Sequence, residues 1–291
     1  MTYQGTIIRP PSEADSLILQ YTVGCSHNQC IFCPAYKRKR FRVRTIAEME
    51  DELRESRSSC SRARRVFLAD GDALAAPQQD LLVLLRFLRT YLPALTRVGM
   101  YANAGSILGK SPAELAALRA QGIGIIYLGL ESGDDERLAW MRKGAAAAQL
   151  EEAGRRVKDA GIKLLVTVLL GIGGNARSSE HARATGRLLS RIEPDHVGAL
   201  TTMVVPGTPL SDLERSGMFQ LPPPFALLTE LAAMLEHTDM KRGLFFANHA
   251  SNYLPLRVRM PSDRDRAVAL IRKFVKEGNA ATLMPEHMRR L

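Results

Sequence analysis

The sequence predicts an α/β fold: six successive strand–helix units laying down a parallel sheet that curls toward a barrel, then a short, mostly helical C-terminal extension. Two observations carry this expectation. Short apolar runs rich in Val, Ile and Leu recur at regular intervals, each bounded by Gly, Pro or Asp, as strands buried on both faces are. Between them lie stretches with helical spacing and helix-start signals.

The predicted strands are SLILQYTV (16–23), RVFLA (65–69), RVGMYA (97–102), IGIIYLGL (123–130), KLLVTVLL (163–170) and HVGALTTMVV (196–205). Among the helices, TIAEMEDEL begins with Thr45 and Glu48 at capping-box spacing, and Ser111 with Glu114 repeats the device around Pro112 at the first helical position. Leu81, Leu84, Leu85 and Leu88 mark one apolar face. Two further segments stop at Gly144 and Gly161, where a left-handed cap belongs. Strand–helix alternation from residue 16 to about 217 is the pattern of a partial TIM barrel, (β/α)6, and sets a core of residues 1–217. Beyond it, QLPPPFALLTELAAMLEHTDM reads as a Pro-broken loop and a helix, GLFFANH as a candidate seventh strand, and SDRDRAVALIRKFVKEG as a helix capped by Ser262. Residues 218–291 are expected to pack on the barrel as an extension.

The chain of 291 residues, 46% apolar, is long enough to bury a sizeable core. Forty basic against thirty acidic residues leave a net charge of +10, which favours anionic partners: nucleic acid, phosphorylated or carboxylated substrates, or an acidic electron donor. No stretch of eighteen apolar residues suggests a membrane span, and the polar start lacks the layout of a secretory signal, so a cytoplasmic location is expected. With four cysteines and no signal, clustered thiols read as metal ligands or catalytic groups, not as a disulfide framework.

Three of those cysteines, Cys25, Cys30 and Cys33, form C-x4-C-x2-C directly after the first strand, at the end where barrel enzymes place their chemistry. Structural zinc normally takes four protein ligands, which would need His27 or the distant Cys60 as completion. An iron–sulfur cluster held by three thiolates leaves one iron open to a small molecule. In these residues the chain resembles the radical S-adenosylmethionine (SAM) superfamily, with Phe32 at the aromatic place before the third cysteine. It departs from the common spacing by one extra residue between the first two cysteines.

Four more places carry the resemblance. Ala69-Asp70-Gly71-Asp72, after the second strand, stands where the family has a Gly-Gly-Glu-like turn for the methionine amino group, with Asp72 at the acidic position; taken alone, Asp72 also reads as a helix cap. Glu131 and Ser132, in LGLESG, stand where the family places polar residues against the ribose or methionine moiety; taken alone, Glu131 also reads as a rim ion pair. Gly171, Gly173 and Gly174 resemble the family's adenine-packing motif, and equally a tight turn. Pro206 and Gly207, in PGTPL, resemble the strand-six motif that frames the adenine. The resemblance implies a 4Fe–4S cluster on Cys25, Cys30 and Cys33, with SAM chelating the open iron. It also implies oxidoreductase-type chemistry: reductive cleavage of SAM to a 5′-deoxyadenosyl radical that takes hydrogen from substrate.

For the substrate side, the run KRKRFRVR alternates Phe41 and Val43 with arginines, so that Arg42 or Arg44 is expected to pair with the SAM carboxylate or an anionic substrate; the plainer reading is a solvated basic loop. FFANHASNYLPL crowds His249, Asn252 and Tyr253 into one segment expected to face substrate, or else to form a self-bonded turn. Only Cys60 remains for further ligation, so a second cluster is not expected, and residues 1–15 are too few for a cobalamin domain. Cys60 itself is placed at the end of the helical pattern 46–60, away from the cluster. The leading expectation is an enzyme acting on a small or medium anionic metabolite and reduced by an acidic donor such as flavodoxin or ferredoxin. RNA as substrate ranks second, and a zinc-stabilised, non-enzymatic binding module is the alternative from another class.

Overall fold

A computed structural model describes residues 3–56, 60 and 62–290. The strands are β1 (Leu17–Gln20), β2 (Thr22–Val23), β3 (Arg42–Val43), β4 (Arg65–Ala69), β5 (Arg97–Ala102), β6 (Ile123–Glu131), β7 (Lys163–Leu170), β8 (His196–Thr201), β9 (Leu244–Phe246) and β10 (Arg257–Arg259). The main helices are α1 (Ile46–Glu55), α2 (Gln78–Tyr91), α3 (Ala104–Leu108), α4 (Pro112–Ala120), α5 (Asp135–Trp140), α6 (Ala147–Asp159), α7 (Gly174–Ile192), α8 (Pro209–Arg215), α9 (Pro224–Glu236) and α10 (Arg264–Glu277). Eight strands form one sheet in the order β1, β4, β5, β6, β7, β8, β9, β10, while β2 and β3 pair apart. All six predicted strands are present, with helices between them, in an α/β fold.

The chain packs as two compact units, one built from residues 1–28, 35–128 and 152–164, the other from 29–34, 129–151 and 165–291. In the first, β1, β4, β5 and β6 run parallel, with Leu17 opposite Val66 and Met100 opposite Ile126. Val66, Phe67, Leu68, Leu81, Leu84, Leu85 and Leu88 are fully buried, so the leucine stripe on α2 is its core face as the spacing predicts. Phe67, Tyr101 and Tyr127 meet edge to face at 5.0 to 5.9 Å. Thr45 and Ser111 each close a capping box. Gly161, at φ +72°, ends α6 in a left-handed cap, its N–H on the Lys158 carbonyl at 2.8 Å and that of Ile162 on Val157 at 3.2 Å.

In the second unit β7, β8 and β9 are parallel and β10 returns antiparallel, so the candidate seventh strand is real and an eighth follows it. Helix α9 packs against α7 and α10. One correction concerns α10: Asp263 stands at its N-cap, and the Ser262 hydroxyl turns back to the Arg259 carbonyl. Another concerns the first predicted strand. It breaks at Tyr21, whose N–H donates to the Leu19 carbonyl, so that Thr22–Val23 leaves the sheet to pair with Arg42–Val43. Among the described residues no helix is long and apolar enough to cross a membrane.

Candidate functional site

In the first unit the turn after β4 folds onto the segment that carries Cys25. Gly71 donates its N–H to the Gly24 carbonyl at 3.0 Å, and a Cβ on Gly71 would lie 2.6 Å from Tyr36 Cε2 and 3.0 Å from Cys25 Cβ. Only glycine lets the two backbones approach this closely. Asp72 is fully buried, which pushes its carboxyl upward against the hydrogen bonds that favour its charge. It accepts from the Ser26 hydroxyl, from Asn103 Nδ2 at 2.7 Å and N–H at 3.3 Å, and from the Ser106 hydroxyl at 2.7 Å. Four donors fill the acceptor capacity of a carboxylate. Asp72 therefore ties Ser26, next to Cys25, to the start of α3, an internal use that the family resemblance did not suggest.

Asp70 is also wholly interior. Its Oδ2 accepts from Lys39 Nζ at 2.8 Å, from the Gly24 N–H at 2.9 Å and from Gln20 Nε2 at 3.0 Å. Arg42 and Arg44, expected as partners of the SAM carboxylate or an anionic substrate, both have carboxylate partners within the chain. Arg42 makes a two-pronged bond to Glu48 at 2.9 and 3.1 Å; the pair holds the Glu48 carboxyl down to about 2. Arg44 is buried, with Nη1 on Glu52 at 2.6 Å and on the Gln20 carbonyl at 3.0 Å. Strand alternation places these guanidiniums correctly on one side, but that side faces the carboxylates of α1. Lys37 and Lys39 likewise reach the carbonyls of Asn28 and Thr6, so these four side chains latch the segment, while Arg38 and Arg40 of the same run are exposed.

In the second unit the loop of Cys30 and Cys33 is pinned at Ile31. Its N–H donates to the Met141 carbonyl and its own carbonyl accepts from the Leu210 N–H, both at 3.1 Å. Ile31 packs with Met141, Leu169, Ile172, Leu210 and Phe219, and Phe32 lies against this cluster. The Cys33 N–H donates to the Cys30 carbonyl at 3.3 Å, forming a turn that sets the two thiol-bearing residues on a fixed backbone. The PGTPL stretch thus meets the cysteine loop through Leu210. Pro206 and Gly207 are exposed, and a Cβ on Gly207 would meet nothing within 4 Å.

Glu131 ends β6 at φ +64°, an uncommon backbone for a non-glycine residue, with Oε1 3.1 Å from Lys143 Nζ. Ser132 is fully buried against His181 Nδ1 at 2.7 Å, and its oxygen accepts the Asp134 N–H at 3.0 Å. Gly171, at φ +83°, donates its N–H to Glu230 Oε1 at 2.6 Å; a Cβ there would meet Leu227 Cδ2 at 2.7 Å. At Gly173 a Cβ would lie 3.0 Å from the Arg177 carbonyl oxygen. Packing and backbone conformation thus already favour glycine at 171, and at 173 a side chain would press on the following turn. His181 and Glu230 are the residues that sequence reasoning missed. The available signal for Glu230 was a lone charge inside the apolar run PPPFALLTELAAML.

In the 245–256 segment, Asn252 and Tyr253 make ties within the unit. Asn252 accepts from the Thr201 hydroxyl and donates to the Ala199 carbonyl, both at 2.8 Å. The Tyr253 hydroxyl lies between Glu286 and Arg289. His249 is half-buried, its Nδ1 2.9 Å from the Ser251 hydroxyl, and burial pushes its pKa down.

None of the four cysteines is in a disulfide; Cys25, Cys30 and Cys33 are part-exposed and Cys60 is buried. Three thiols within nine residues of sequence are the soft donors that an iron–sulfur cluster takes, although among the described residues no three or more His, Cys, Asp or Glu side chains are gathered as for a metal ion. Residues 57–59 of the helical pattern leading to Cys60 lie outside the described residues; α1 itself ends at Glu55. Cys60 is 1% exposed, with Sγ 3.8 Å from the Leu53 carbonyl, which also accepts from the Tyr91 hydroxyl at 3.0 Å. Burial raises its pKa, as for an inert structural thiol. Cys60→Ala is expected to retain wild-type iron content after anaerobic reconstitution. Loss of iron in that variant would make Cys60 a ligand.

The family described as the radical SAM superfamily matches residues 19–185. No curated protein matches the chain. Among solved structures it is similar to methylornithine synthase (PylB), with a TM-score of 0.54 and 20% identity over 78% of this chain and 65% of that one. It is similar to the radical SAM methyltransferase TsrM from Kitasatospora setae, with cobalamin and a 4Fe–4S cluster bound, at 0.57 and 19% over 72% and 41%. Coproporphyrinogen III oxidase (HemN) from Escherichia coli gives 0.56 and 14% over 77% and 52%. The chain thus spans 41% to 65% of the length of these solved structures, and the likeness is one of fold. Because the family match covers more than half of the chain, this protein belongs to the radical SAM superfamily, whose enzymes use a 4Fe–4S cluster and SAM.

Proposed function

We propose that this enzyme holds its cluster on Cys25, Cys30 and Cys33 and directs SAM-derived radical chemistry at a small or medium anionic substrate. The observation that carries this reading is the three-thiol segment, with the two backbones that bear it separately fixed: Cys25 against Gly71, and Cys30 and Cys33 around the pinned Ile31. When bound, the reduced cluster supplies the electron that cleaves SAM homolytically at its 5′ carbon–sulfur bond.

The protein's own groups hold and orient. Glu131 and Ser132 after β6, the Gly171–Gly174 turn after β7 and the exposed Pro206–Gly207 turn form the set read as facing SAM; Asp72 fixes the Cys25 segment from behind through Ser26. His249 is the group kept for substrate. The net charge of +10 supports an anionic substrate and an acidic reductant. Of the basic run that favoured RNA, Lys39, Arg42 and Arg44 are in ion pairs within the chain, which ranks RNA second. Family membership displaces the zinc-module alternative.

The test is anaerobic reconstitution followed by dithionite and SAM, with 5′-deoxyadenosine measured by chromatography. The reading expects slow cleavage alone and faster cleavage with a fraction of acidic metabolites. No cleavage from a protein with full iron content would overturn it. Acceleration by RNA, and not by metabolites, would replace the substrate class.

A further inference from the structure

We propose that Glu230, acting with His181, positions the two polar turns that follow β6 and β7 and thereby sets the affinity for SAM. The inference rests on the reading of those turns as SAM-facing. Its basis is a chain of buried contacts within the second unit. The Ser132 hydroxyl meets His181 Nδ1 at 2.7 Å, and His181 Nε2 donates to the Leu169 carbonyl at 2.9 Å. The same Nε2 lies 3.5 Å from Glu230 Oε1, which accepts the Gly171 N–H at 2.6 Å; Glu230 Oε2 accepts the Ser178 hydroxyl. Side chains on α7 and α9 thus connect Ser132, in the first turn, with Gly171, which opens the second.

Both groups are almost wholly inside, where an unpaired polar atom is costly, so the chain is held by what it satisfies. A Leu in place of Glu230 would leave the Gly171 N–H without its acceptor. A Gln would keep that acceptor and lose the charge and the second acceptor, which takes the Ser178 hydroxyl. The Gly171 carbonyl accepts from the Gly174 N–H at 3.0 Å, within the same turn, and its N–H is held by Glu230.

The pair also has a pH signature. Burial pushes Glu230 up to about 7 and His181 down to about 4. Around His181 stand Asp134, paired with Arg177, and Arg137; the charged groups of α10, packed on α9, are engaged elsewhere, as in Arg272 with Glu236, Lys273 with Glu277 and Arg264 with Asp265. A raised carboxyl means that the folded state holds its proton longer, so Glu230 costs stability as pH rises from the ordinary carboxylate value toward 7. A lowered histidine acts oppositely: His181 costs stability as pH falls from 6.5 toward 4. In the wild type the two slopes largely cancel. In Glu230→Gln only the histidine slope remains, so the melting temperature of the apoprotein should rise more steeply with pH across that window.

The deciding experiment compares wild type, Glu230→Gln and Glu230→Leu after reconstitution, by SAM equilibrium dialysis, iron content, and amide exchange of peptides covering 129–133 and 171–175. SAM should protect both peptides in the wild type. Glu230→Leu should keep its iron, lose protection at both turns without SAM, and bind SAM about tenfold more weakly, the loss of one buried hydrogen bond. Glu230→Gln should bind within about threefold of wild type. If Glu230→Leu does not fold, Ser178→Ala takes its place, with about threefold weaker binding supporting the proposal and unchanged binding opposing it. Absence of SAM protection in the wild type would sink the reading of the turns, and this proposal with it. Protection in the wild type with unchanged SAM affinity in Glu230→Leu would overturn the positioning role alone.

Discussion

Replacing Cys25, Cys30 or Cys33 by alanine is expected to abolish both the cluster and SAM cleavage, the largest effect of any change considered. Each thiolate supplies a metal bond that a methyl group cannot replace, and a cluster with two protein ligands has no stable anchorage. Ile31 is held by backbone bonds to Met141 and Leu210, and Gly71 by its bond to Gly24, so the variants should fold with an unchanged circular dichroism spectrum. Iron and sulfide analysis after anaerobic reconstitution checks this directly. A variant with wild-type iron content would remove that cysteine from the ligand set.

Arg44→Met is expected to have the largest effect on stability. Arg44 is 8% exposed and bonds Glu52, itself 5% exposed, at 2.6 Å, while its second contact holds the Gln20 carbonyl where the first strand breaks. Removing the guanidinium strands a buried carboxylate, which typically costs about 3 to 5 kcal/mol. Chemical denaturation should show a midpoint shift of that size, and the double variant Arg44→Met with Glu52→Met should recover most of it. A single-variant loss below about 1 kcal/mol would mean that water already reaches the pair.

The β7 run was legible as a strand because a parallel sheet buried on both faces needs near-unbroken Val, Ile and Leu, whereas β8, HVGALT, alternates buried and half-buried positions as a strand with one more open face does. The break at Tyr21 was not legible. Leu19 and Tyr21 are both fully buried, so hydrophobicity carries no mark of the point where the chain leaves one sheet for another pairing. Strand β10 escaped notice because its three residues, Arg257–Arg259, show one buried position between two exposed arginines.

At the site, the cysteine spacing could be read in advance, whereas the close approach at Gly71 could not, since that position was read only as part of a turn that the family resemblance implies. Arg42 and Arg44 could be assigned a face but not a partner. Glu48 and Glu52, four apart on α1, offer their carboxylates to that face, a pairing that only the docking of β3 beside α1 reveals. The bond of Asn252 to Thr201, 51 residues earlier, was equally invisible, because nothing local marks a long-range tie. Glu230 and His181 lay on opposite sides of the predicted domain boundary at 217, and each alone reads as an ordinary helix residue.

The central claim is that three cysteines leave one iron of the cluster for SAM. Electron paramagnetic resonance of the dithionite-reduced, reconstituted protein, recorded with and without SAM, tests it most directly. The account predicts one 4Fe–4S signal per chain whose g-values change on adding SAM, in wild type and in Cys60→Ala alike. A spectrum that SAM leaves unaltered, from protein with four irons per chain, would contradict it.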